Sequence, residues 1–349
     1  MQLTAAPLLA LALAGSVAAG PTCLGLNAAM KAKGKSHVGT ALTLRDNEPL
    51  EDAILRNPHE IGAITPENAL KWESTEPGYG NFTFQNADEH VDFALQHGHS
   101  LRCHTLVWHS QLAPWVEAGN YDNATLIEIM RSHIYTVAGR YKGRCKHWDV
   151  VNEALEEDGS WRQSVFYRTI GEAFLPLAFK FAAEADPDAQ LWYNDYNLEY
   201  DEVKTIETAK LIDLIRSYGA RIDGVGLQGH LVVEPTPTQS TITPPLEVLA
   251  SALRRFTDKG VDVEYTEIDI RMNTPATPEK LEEQAVQYHR VVTSCMDNDR
   301  CIGITLWGIS DKYSWIPYTF DGEGAALVWD DDYKRKPAYG GILDAIYEA

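Results

Sequence analysis

The feature that most constrains the fold is a regular alternation of short β-rich runs with amphipathic helical segments. Eight β-rich runs occur, at residues 37–43, 62–66, 100–108, 146–152, 190–195, 221–228, 261–268 and 301–307. Most of the intervals have helical periodicity, as in the apolar face formed by Leu126, Met130, Ile134, Val137 and Tyr141. Another helix is predicted to follow the capping sequence Thr277-Pro278-Glu279. This alternation predicts a single α/β domain, a (β/α)₈ TIM barrel, although an open doubly wound sheet would have the same periodicity.

The residues at the strand ends favour the barrel over the open sheet. Seven of the eight runs finish in side chains that can perform chemistry: Glu67 and Asn68, His104, Asn152 and Glu153, Asn194 and Asp195, Gln228 and His230, Glu267 and Asp269, and Trp307. In a barrel, the carboxyl ends of all strands meet on one face, where such enzymes carry their active sites. Solvent contact alone explains one or two polar strand ends, so seven of them indicate a shared site.

The charge of the chain excludes several classes of partner. Acidic residues outnumber basic residues by 50 to 30, which gives a formal net charge of −20. Such a field repels phosphate backbones and anionic lipid headgroups, so we expect neither nucleic acid nor a membrane surface as a partner. It suits a soluble protein that faces a neutral polymer, although solubility alone is the stronger explanation of the acidity. The sequence has no linker or low-complexity tract, so we expect one domain over residues 20–349, without a separate second module. A monomer is the default expectation.

The amino terminus has the pattern of an export signal. Residues 1–19 carry no charged side chain, include the apolar run Leu8 to Ala14, and end in the small residues Val17-Ala18-Ala19. The apolar run is too short to span a bilayer, so cleavage after export is a better interpretation than anchoring. We therefore predict that residues 1–19 are a signal peptide and that the mature chain is secreted to the extracellular space.

The cysteines and the glycosylation sequons fit this destination. None of the five cysteines forms a CxxC pair, so in an exported chain they are disulfide candidates rather than metal ligands. Cys295 and Cys301 can close a short loop, Cys103 and Cys145 lie on successive predicted strands, and Cys23 is left over. Asn81 and Asn123 begin the sequons Asn-Phe-Thr and Asn-Ala-Thr. The chain has no His-Glu-x-x-His motif and no phosphate-binding loop, so we expect no catalytic metal and no cofactor.

Two β-branched segments each deliver a glutamate to a predicted strand end. They are Trp-Asp-Val-Val-Asn-Glu-Ala, residues 148–154, and Val-Glu-Tyr-Thr-Glu-Ile-Asp, residues 263–269. These segments resemble the two signatures of glycoside hydrolase family 10, which consists largely of endo-β-1,4-xylanases, and the similarity extends from about residue 24 to the end. The resemblance implies that Glu153 is the general acid/base and Glu267 the nucleophile of a retaining mechanism. Retaining enzymes place the two carboxyl groups roughly 5–5.5 Å apart.

The same resemblance implies roles for further residues. In the family, the histidine at the position of His230 hydrogen-bonds the nucleophile, with Gln228 beside it, whereas Asp269 either supports this network or serves structure only. The residues that the resemblance places on the substrate are Glu67, Asn68 and Lys71 at the distal glycone sugar, His104, Trp108 and Gln111 around the sugar being cleaved and its neighbour, Asn152 beside the acid/base, Trp307 and Trp315 along the glycone wall, and Tyr196 as an aglycone platform. In the family, the tryptophan and glutamine side chains at these positions leave little room for a hydroxymethyl group at C5 of the sugar. The resemblance therefore implies xylan and xylo-oligosaccharides as substrates.

Two other hypotheses compete with the xylanase. The cleft of such a fold can change its preference to another β-glycoside, such as cellulose or a plant glycoalkaloid. Alternatively, the chain is an inactive carbohydrate-binding protein, for which the loss of Glu153 or Glu267 would be the signature. Both glutamates are present, and the set Glu67, Asn68 and Lys71 is complete, which favours an active xylanase.

Overall fold

The computed structural model describes residues 25–349, which form a closed parallel barrel. The strands are β1 (His37–Leu42), β2 (Ala63–Pro66), β3 (Ser100–Val107), β4 (His147–Asn152), β5 (Gln190–Asp195), β6 (Gly224–Leu227), β7 (His230–Val232), β8 (Asp262–Asn273), β9 (Cys301–Leu306) and β10 (Glu323–Gly324). Eight of them pair in the order β1-β2-β3-β4-β5-β6-β8-β9, and pairing of β9 with β1 closes the ring. This closure confirms the predicted (β/α)₈ barrel and excludes the open sheet.

Helices follow the barrel strands and cover the outside of the ring. They are α1 (Leu26–Ala32), α2 (Pro49–Leu55), α3 (Trp72–Thr75), α4 (Gln85–Gln96), α5 (Pro114–Glu117), α6 (Asn123–Arg140), α7 (Val165–Ile170), α8 (Phe174–Ala185), α9 (Val203–Ser217), α10 (Leu246–Thr257), α11 (Pro278–Met296), α12 (Ile316–Thr319) and α13 (Pro337–Glu348). The predicted apolar face of α6 is buried, and α11 begins where its capping sequence predicts, with the Thr277 side chain accepting from the Lys280 N–H. Within residues 25–349, no helix has both the length and the apolar character needed to cross a membrane.

Two short strands, β7 and β10, were not predicted, and His230 lies in the first of them. The sequence places His230 in the motif of the sixth β-rich run, but β6 ends at Leu227 and Gly229 interrupts the strand with a φ of +78°. His230 begins β7 instead, which pairs with the carboxyl half of β8 so that His230 lies opposite Asp269. The strand β8 extends to Asn273, beyond the predicted residue 268, because β7 and β10 both pair with that half.

A cluster of charged side chains occupies the barrel interior. Arg102 on β3 forms ion pairs with Asp149 on β4 (2.5 Å) and with Glu264 on β8 (3.1 Å), and His37 Nε2 lies 3.0 Å from Glu264. Burial of Glu264 would raise its pKa, but the neighbouring His37 and Arg102 outweigh burial and lower it. Because every charge in this layer has an opposite partner, the layer avoids the cost of an unpaired buried ion.

Both predicted disulfides are present. Cys103 is bonded to Cys145 and Cys295 to Cys301. Cys23 and the predicted signal peptide, residues 1–19, lie outside the described residues, so the prediction for that segment stays a prediction. Both sequon asparagines, Asn81 and Asn123, are exposed, and Asn123 Nδ2 donates to the Thr169 carbonyl at 3.1 Å.

The two disulfides should contribute unequally to stability, because a cross-link that closes a longer loop removes more entropy from the unfolded chain. We expect the double substitution Cys103→Ala/Cys145→Ala to lower the free energy of unfolding by about 4 kcal/mol, since its partners are 42 residues apart. Cys295→Ala/Cys301→Ala should cost about 2 kcal/mol, since the separation is 6 residues. Urea denaturation followed by tryptophan fluorescence measures both, and a larger loss for the shorter loop would contradict this account.

Candidate active site

The predicted functional residues meet in one cleft at the carboxyl ends of the barrel strands. The cleft has a volume of about 650 Å³. Its lining includes every predicted catalytic or substrate-binding residue: Glu67, Asn68, Lys71, His104, Trp108, Gln111, Asn152, Glu153, Tyr196, Gln228, His230, Glu267, Trp307 and Trp315. Asp269 is fully buried behind His230 and does not line the cleft.

The two candidate catalytic carboxylates are connected by amide side chains. Asn152 Nδ2 donates to Glu153 Oε1 at 3.2 Å, and Gln228 Nε2 donates to the same oxygen at 2.9 Å. Asn194 Nδ2 donates to both Asn152 Oδ1 (2.9 Å) and Glu267 Oε1 (2.8 Å). Two amides therefore lead from one carboxylate to the other, and this network holds both groups on one cleft.

Asn194 is a site residue to which the sequence pattern assigned no role. Its Oδ1 accepts a 2.6 Å hydrogen bond from Thr266 Oγ1, which turns the amide nitrogen towards Asn152 and Glu267. The position opposite on β6 must be a glycine, because a Cβ on Gly226 would lie 2.2 Å from Asn194 Oδ1. The general rule that catalytic groups sit at strand ends was the signal for Asn194, but its bonding partners are visible only in three dimensions.

A histidine and an aspartate support Glu267 from behind. His230 Nε2 lies 3.2 Å from Glu267 Oε2, and His230 Nδ1 lies 3.0 Å from Asp269 Oδ1. Trp315 Nε1 donates to the other Asp269 oxygen at 2.8 Å. Asp269 therefore contacts both His230 and Trp315. Its support of Glu267, one of the two alternatives that the sequence left open, stays a prediction.

These contacts set the protonation states of His230 and Glu267. Burial would lower the pKa of His230, but Asp269 and Glu267 outweigh burial and raise it to about 10. Burial would raise the pKa of Glu267, but the hydrogen bonds from His230 and Asn194 help to lower it overall. Glu267 is therefore an ionised carboxylate at neutral pH, which is the state that a nucleophile requires.

Glu153 is held in an unusual backbone conformation at the end of β4. Its φ is +55°, in the left-handed region that residues other than glycine rarely adopt. Trp108 Nε1 donates to Glu153 Oε2 at 2.8 Å, and the Glu153 N–H donates to the Asn194 carbonyl at 2.9 Å. Such strained residues persist only where the surroundings hold them, and they concentrate at functional sites.

Polar side chains from β2, β3 and their loops form one end of the cleft. Lys71 Nζ donates to Asn68 Oδ1 (2.8 Å) and Gln111 Oε1 (2.5 Å), and it lies 4.9 Å from the centroid of the Trp108 ring. Burial lowers the pKa of Lys71, although neighbouring acidic groups, Glu267 first among them, oppose the shift. Glu67 accepts from Thr43 Oγ1 at 2.6 Å. The set offers the fixed donors and acceptors that recognition of sugar hydroxyls requires.

Aromatic rings form the wall beside the catalytic pair. His104 packs edge-on against Trp307 at 5.6 Å, and His230 packs edge-on against Trp315 at 5.0 Å. His104 is oriented by Asp149, whose Oδ2 lies 3.0 Å from His104 Nδ1. The aromatic wall and the buried charge layer of the barrel are therefore connected through one carboxylate.

The other end of the cleft contains the predicted Tyr196, and the cleft also has lining residues that the sequence did not indicate. Tyr196 lies there with Lys204 Nζ 3.4 Å from its ring centroid. The residues that the sequence did not indicate include Thr238, Gln239, Arg271, Thr319 and Phe320. Thr238 and Gln239 belong to the segment 235–245, and nothing in the composition of that segment indicated that it reaches a site. Among residues 25–349, no group of three or more His, Cys, Asp or Glu side chains is arranged to hold a metal ion.

The charge state of His230 gives a direct test of this geometry. Because its pKa of about 10 lies above the usual value of ~6.5, its protonated form stabilises the fold. That contribution is fully present below ~6.5 and is lost as the pH rises through about 10. We expect ¹⁵N NMR at pH 8 to show both His230 ring nitrogens protonated, and Asp269→Asn to lower the pKa. Titration of His230 below pH 7 in the unsubstituted protein would refute the assignment.

Comparisons with known proteins identify the family of this chain. The sequence matches the profile of Glycosyl hydrolase family 10 over residues 25–345. It is 59% identical to endo-1,4-β-xylanase 1 of Gibberella zeae, covering 92% of this chain and 91% of the relative, and 58% identical to endo-1,4-β-xylanase A of Fusarium oxysporum, covering 92% and 98%. A crystal structure of a family 10 xylanase from Bispora sp. MEY-1 with xylobiose is similar, with a TM-score of 0.87, 34% identity and coverage of 92% and 99%. The chain therefore belongs to glycosyl hydrolase family 10.

Proposed function

We propose that this family 10 enzyme, an endo-1,4-β-xylanase, hydrolyses β-1,4-xylosidic bonds with retention of configuration. In this proposal Glu267 is the nucleophile and Glu153 the general acid/base. The observation that carries it is the chain of amides from Glu153 through Asn152 and Asn194 to Glu267, which holds two carboxyl groups on one sugar-binding cleft. Two carboxyl groups are what the reaction needs, one to exchange a proton with the glycosidic oxygen and one to attack the anomeric carbon.

In the first step, ionised Glu267 attacks the anomeric carbon while Glu153 donates its proton to the departing oxygen. The glycosidic bond breaks and an ester forms between the sugar and Glu267. The lowered pKa of Glu267 and the His230–Asp269 pair behind it keep the nucleophile ionised and oriented before attack.

In the second step, Glu153 accepts a proton from water, which attacks the same carbon and releases Glu267. Because the charge of Glu267 is neutralised while it is esterified, an ionised Glu153 is no longer opposed by a like charge across the cleft. Two inversions at one carbon give net retention, so the first product has the β configuration.

The lining of the cleft supports xylan as the substrate. Glu67, Asn68 and Lys71 provide hydrogen-bonding groups for the distal glycone sugar, and Gln111 provides one nearer the sugar being cleaved. Tyr196 provides a flat face on the aglycone side. Trp307 and Trp315 stand beside the site of cleavage, where their bulk disfavours a hydroxymethyl group at C5. Xylose lacks this group and glucose has it, so the same wall explains a preference over cellulose.

We also propose that the enzyme acts outside the cell. The two disulfides support this, since such bonds form and persist in oxidising compartments. The proposal rests further on the pattern of residues 1–19 described above. The monomeric state, the single domain and the glycosylation sites at Asn81 and Asn123 stay predictions.

The mechanism predicts the effect of removing each carboxyl group. We expect Glu267→Gln to lower xylan turnover by about 10⁴-fold or more, because no nucleophile is left. Glu153→Gln should lower it by about 10²–10⁴-fold, the usual contribution of a general acid. Both variants should keep the thermal unfolding midpoint within a few degrees. ¹H NMR of fresh reaction mixtures should show the β anomer first. Normal turnover by Glu267→Gln, or an initial α product, would overturn the mechanism.

The aromatic wall predicts how the enzyme distinguishes pentose from hexose. We expect kcat/KM for an aryl β-xylobioside to exceed that for the matching β-cellobioside by at least about 10-fold, and Trp315→Ala to narrow this ratio. Comparing the two substrates on one variant cancels any general loss from breaking the Trp315–Asp269 hydrogen bond. Trp115→Ala, outside the cleft, is the matched control and should leave the ratio unchanged. A cellobioside preference would favour another β-glycoside as the substrate, and no hydrolysis of either would favour a binding protein.

A further inference from the structure

One arginine outside the family signatures bonds to the backbone of Glu153. Residues 154–162 form a hairpin in which Leu155 pairs with Trp161 and the Arg162 N–H donates to the Ala154 carbonyl at 2.9 Å. The hairpin thus returns Arg162 to the strand end that carries Glu153. Arg162 Nε donates to the Glu153 carbonyl at 2.9 Å, and Nη2 donates to the Leu155 carbonyl at 3.1 Å.

The same guanidinium reaches the aglycone side of the cleft. Arg162 Nη2 also donates to the Tyr196 hydroxyl at 2.9 Å, while Nη1 lies 3.2 Å from Glu156 Oε2. The arginine side chain is only 16% exposed. A planar fork of fixed donors can hold several acceptors in one geometry, which a lysine ammonium on a flexible chain cannot do.

These contacts belong to a closed ring of interactions around the Glu153 peptide. The Ala154 N–H donates to the Tyr193 hydroxyl at 2.9 Å, and that hydroxyl donates to Asp195 at 2.5 Å. Asp195 pairs with Lys204 at 2.9 Å, and Lys204 lies over the Tyr196 ring. Arg162 completes the ring from Tyr196 back to the Glu153 carbonyl. Arg162 therefore bonds to the backbone directly after β4. Glu153 has a left-handed backbone conformation there, which contacts from outside its own strand help to hold.

We infer that Arg162 is a positioning residue for the general acid/base, which fixes the Glu153 peptide and the Tyr196 ring as one unit so that the carboxyl meets the glycosidic oxygen of a sugar bound on Tyr196. This inference rests on the proposed role of Glu153. It predicts a defect confined to proton donation. A leaving group that departs without a proton, such as dinitrophenolate, tolerates a displaced acid, whereas an unactivated phenolate or a sugar does not.

The test compares kcat/KM for 2,4-dinitrophenyl and phenyl β-xylobioside, because kcat/KM reports only the first step. We expect Arg162→Gln to lower kcat/KM for the phenyl substrate by about 10²-fold and for the dinitrophenyl substrate by less than about threefold. Arg162→Lys keeps the charge but loses the fork, so it should show the same pattern with a smaller loss. Arg168→Lys is the matched control, since that arginine on α7 is 49% exposed and pairs with Glu117 away from the cleft. It should behave as the unsubstituted enzyme.

Each outcome decides between the alternatives. If both substrates lose activity equally in the Arg162 variants, or neither does, Arg162 does not position the acid, and its contacts serve only the hairpin. If Arg162→Gln fails to fold, the ratio of kcat/KM for the phenyl and dinitrophenyl substrates in Arg162→Lys tests the inference instead. Glu153→Gln run beside them must depend strongly on the leaving group. If it does not, the proposed role of Glu153 itself is wrong, and this failure is distinct from a failure of the Arg162 inference.

Discussion

The amide of Asn194 is the contact on which the arrangement of the cleft depends. Its nitrogen donates hydrogen bonds to Asn152 and to Glu267, which lies on the far side of β6. The Asn152 amide in turn donates to Glu153. This is possible only because the barrel is closed and β4, β5, β6 and β8 stand side by side. Gly226 leaves room for the amide and Thr266 sets its direction. Residues more than one hundred positions apart thereby share one hydrogen-bonded network.

The buried charges beneath the cleft connect stability to the site. Asp149 contacts both Arg102 and His104, so one carboxylate of the barrel interior also orients His104, a side chain of the cleft. Glu264, which Arg102 also holds, lies on the strand that carries Glu267. Removing one partner of such a cluster leaves an uncompensated ion in the interior, which costs several kcal/mol. Exchanging one residue of this layer at a time is therefore costly, although Arg102, Asp149 and Glu264 do not line the cleft.

The barrel and the two glutamates that it brings to one cleft were predictable because both depend on local pattern. Strand and helix periodicity indicated the eight barrel strands, and Glu153 and Glu267 stand in motifs short enough to compare directly. The short strand that His230 begins was not predicted, because Gly229 takes a positive φ and separates it from β6, which period-two alternation does not reveal. Asn194 and Arg162 act through partners on other elements, and their contacts depend on closure of the barrel and on the return of a hairpin. Thr238 and Gln239 sit in a loop whose composition carries no signal for their position.

The central claim is that Glu267 attacks the sugar, and trapping the ester tests it most directly. A 2-deoxy-2-fluoro-β-xylobioside with a dinitrophenyl leaving group should form the ester and hydrolyse slowly, because fluorine at C2 destabilises the positively charged transition state of both steps. Peptide mapping by mass spectrometry should then find one fluoroxylobiosyl group per chain, on Glu267. A label on Glu153, or inactivation without any covalent label, would contradict the account.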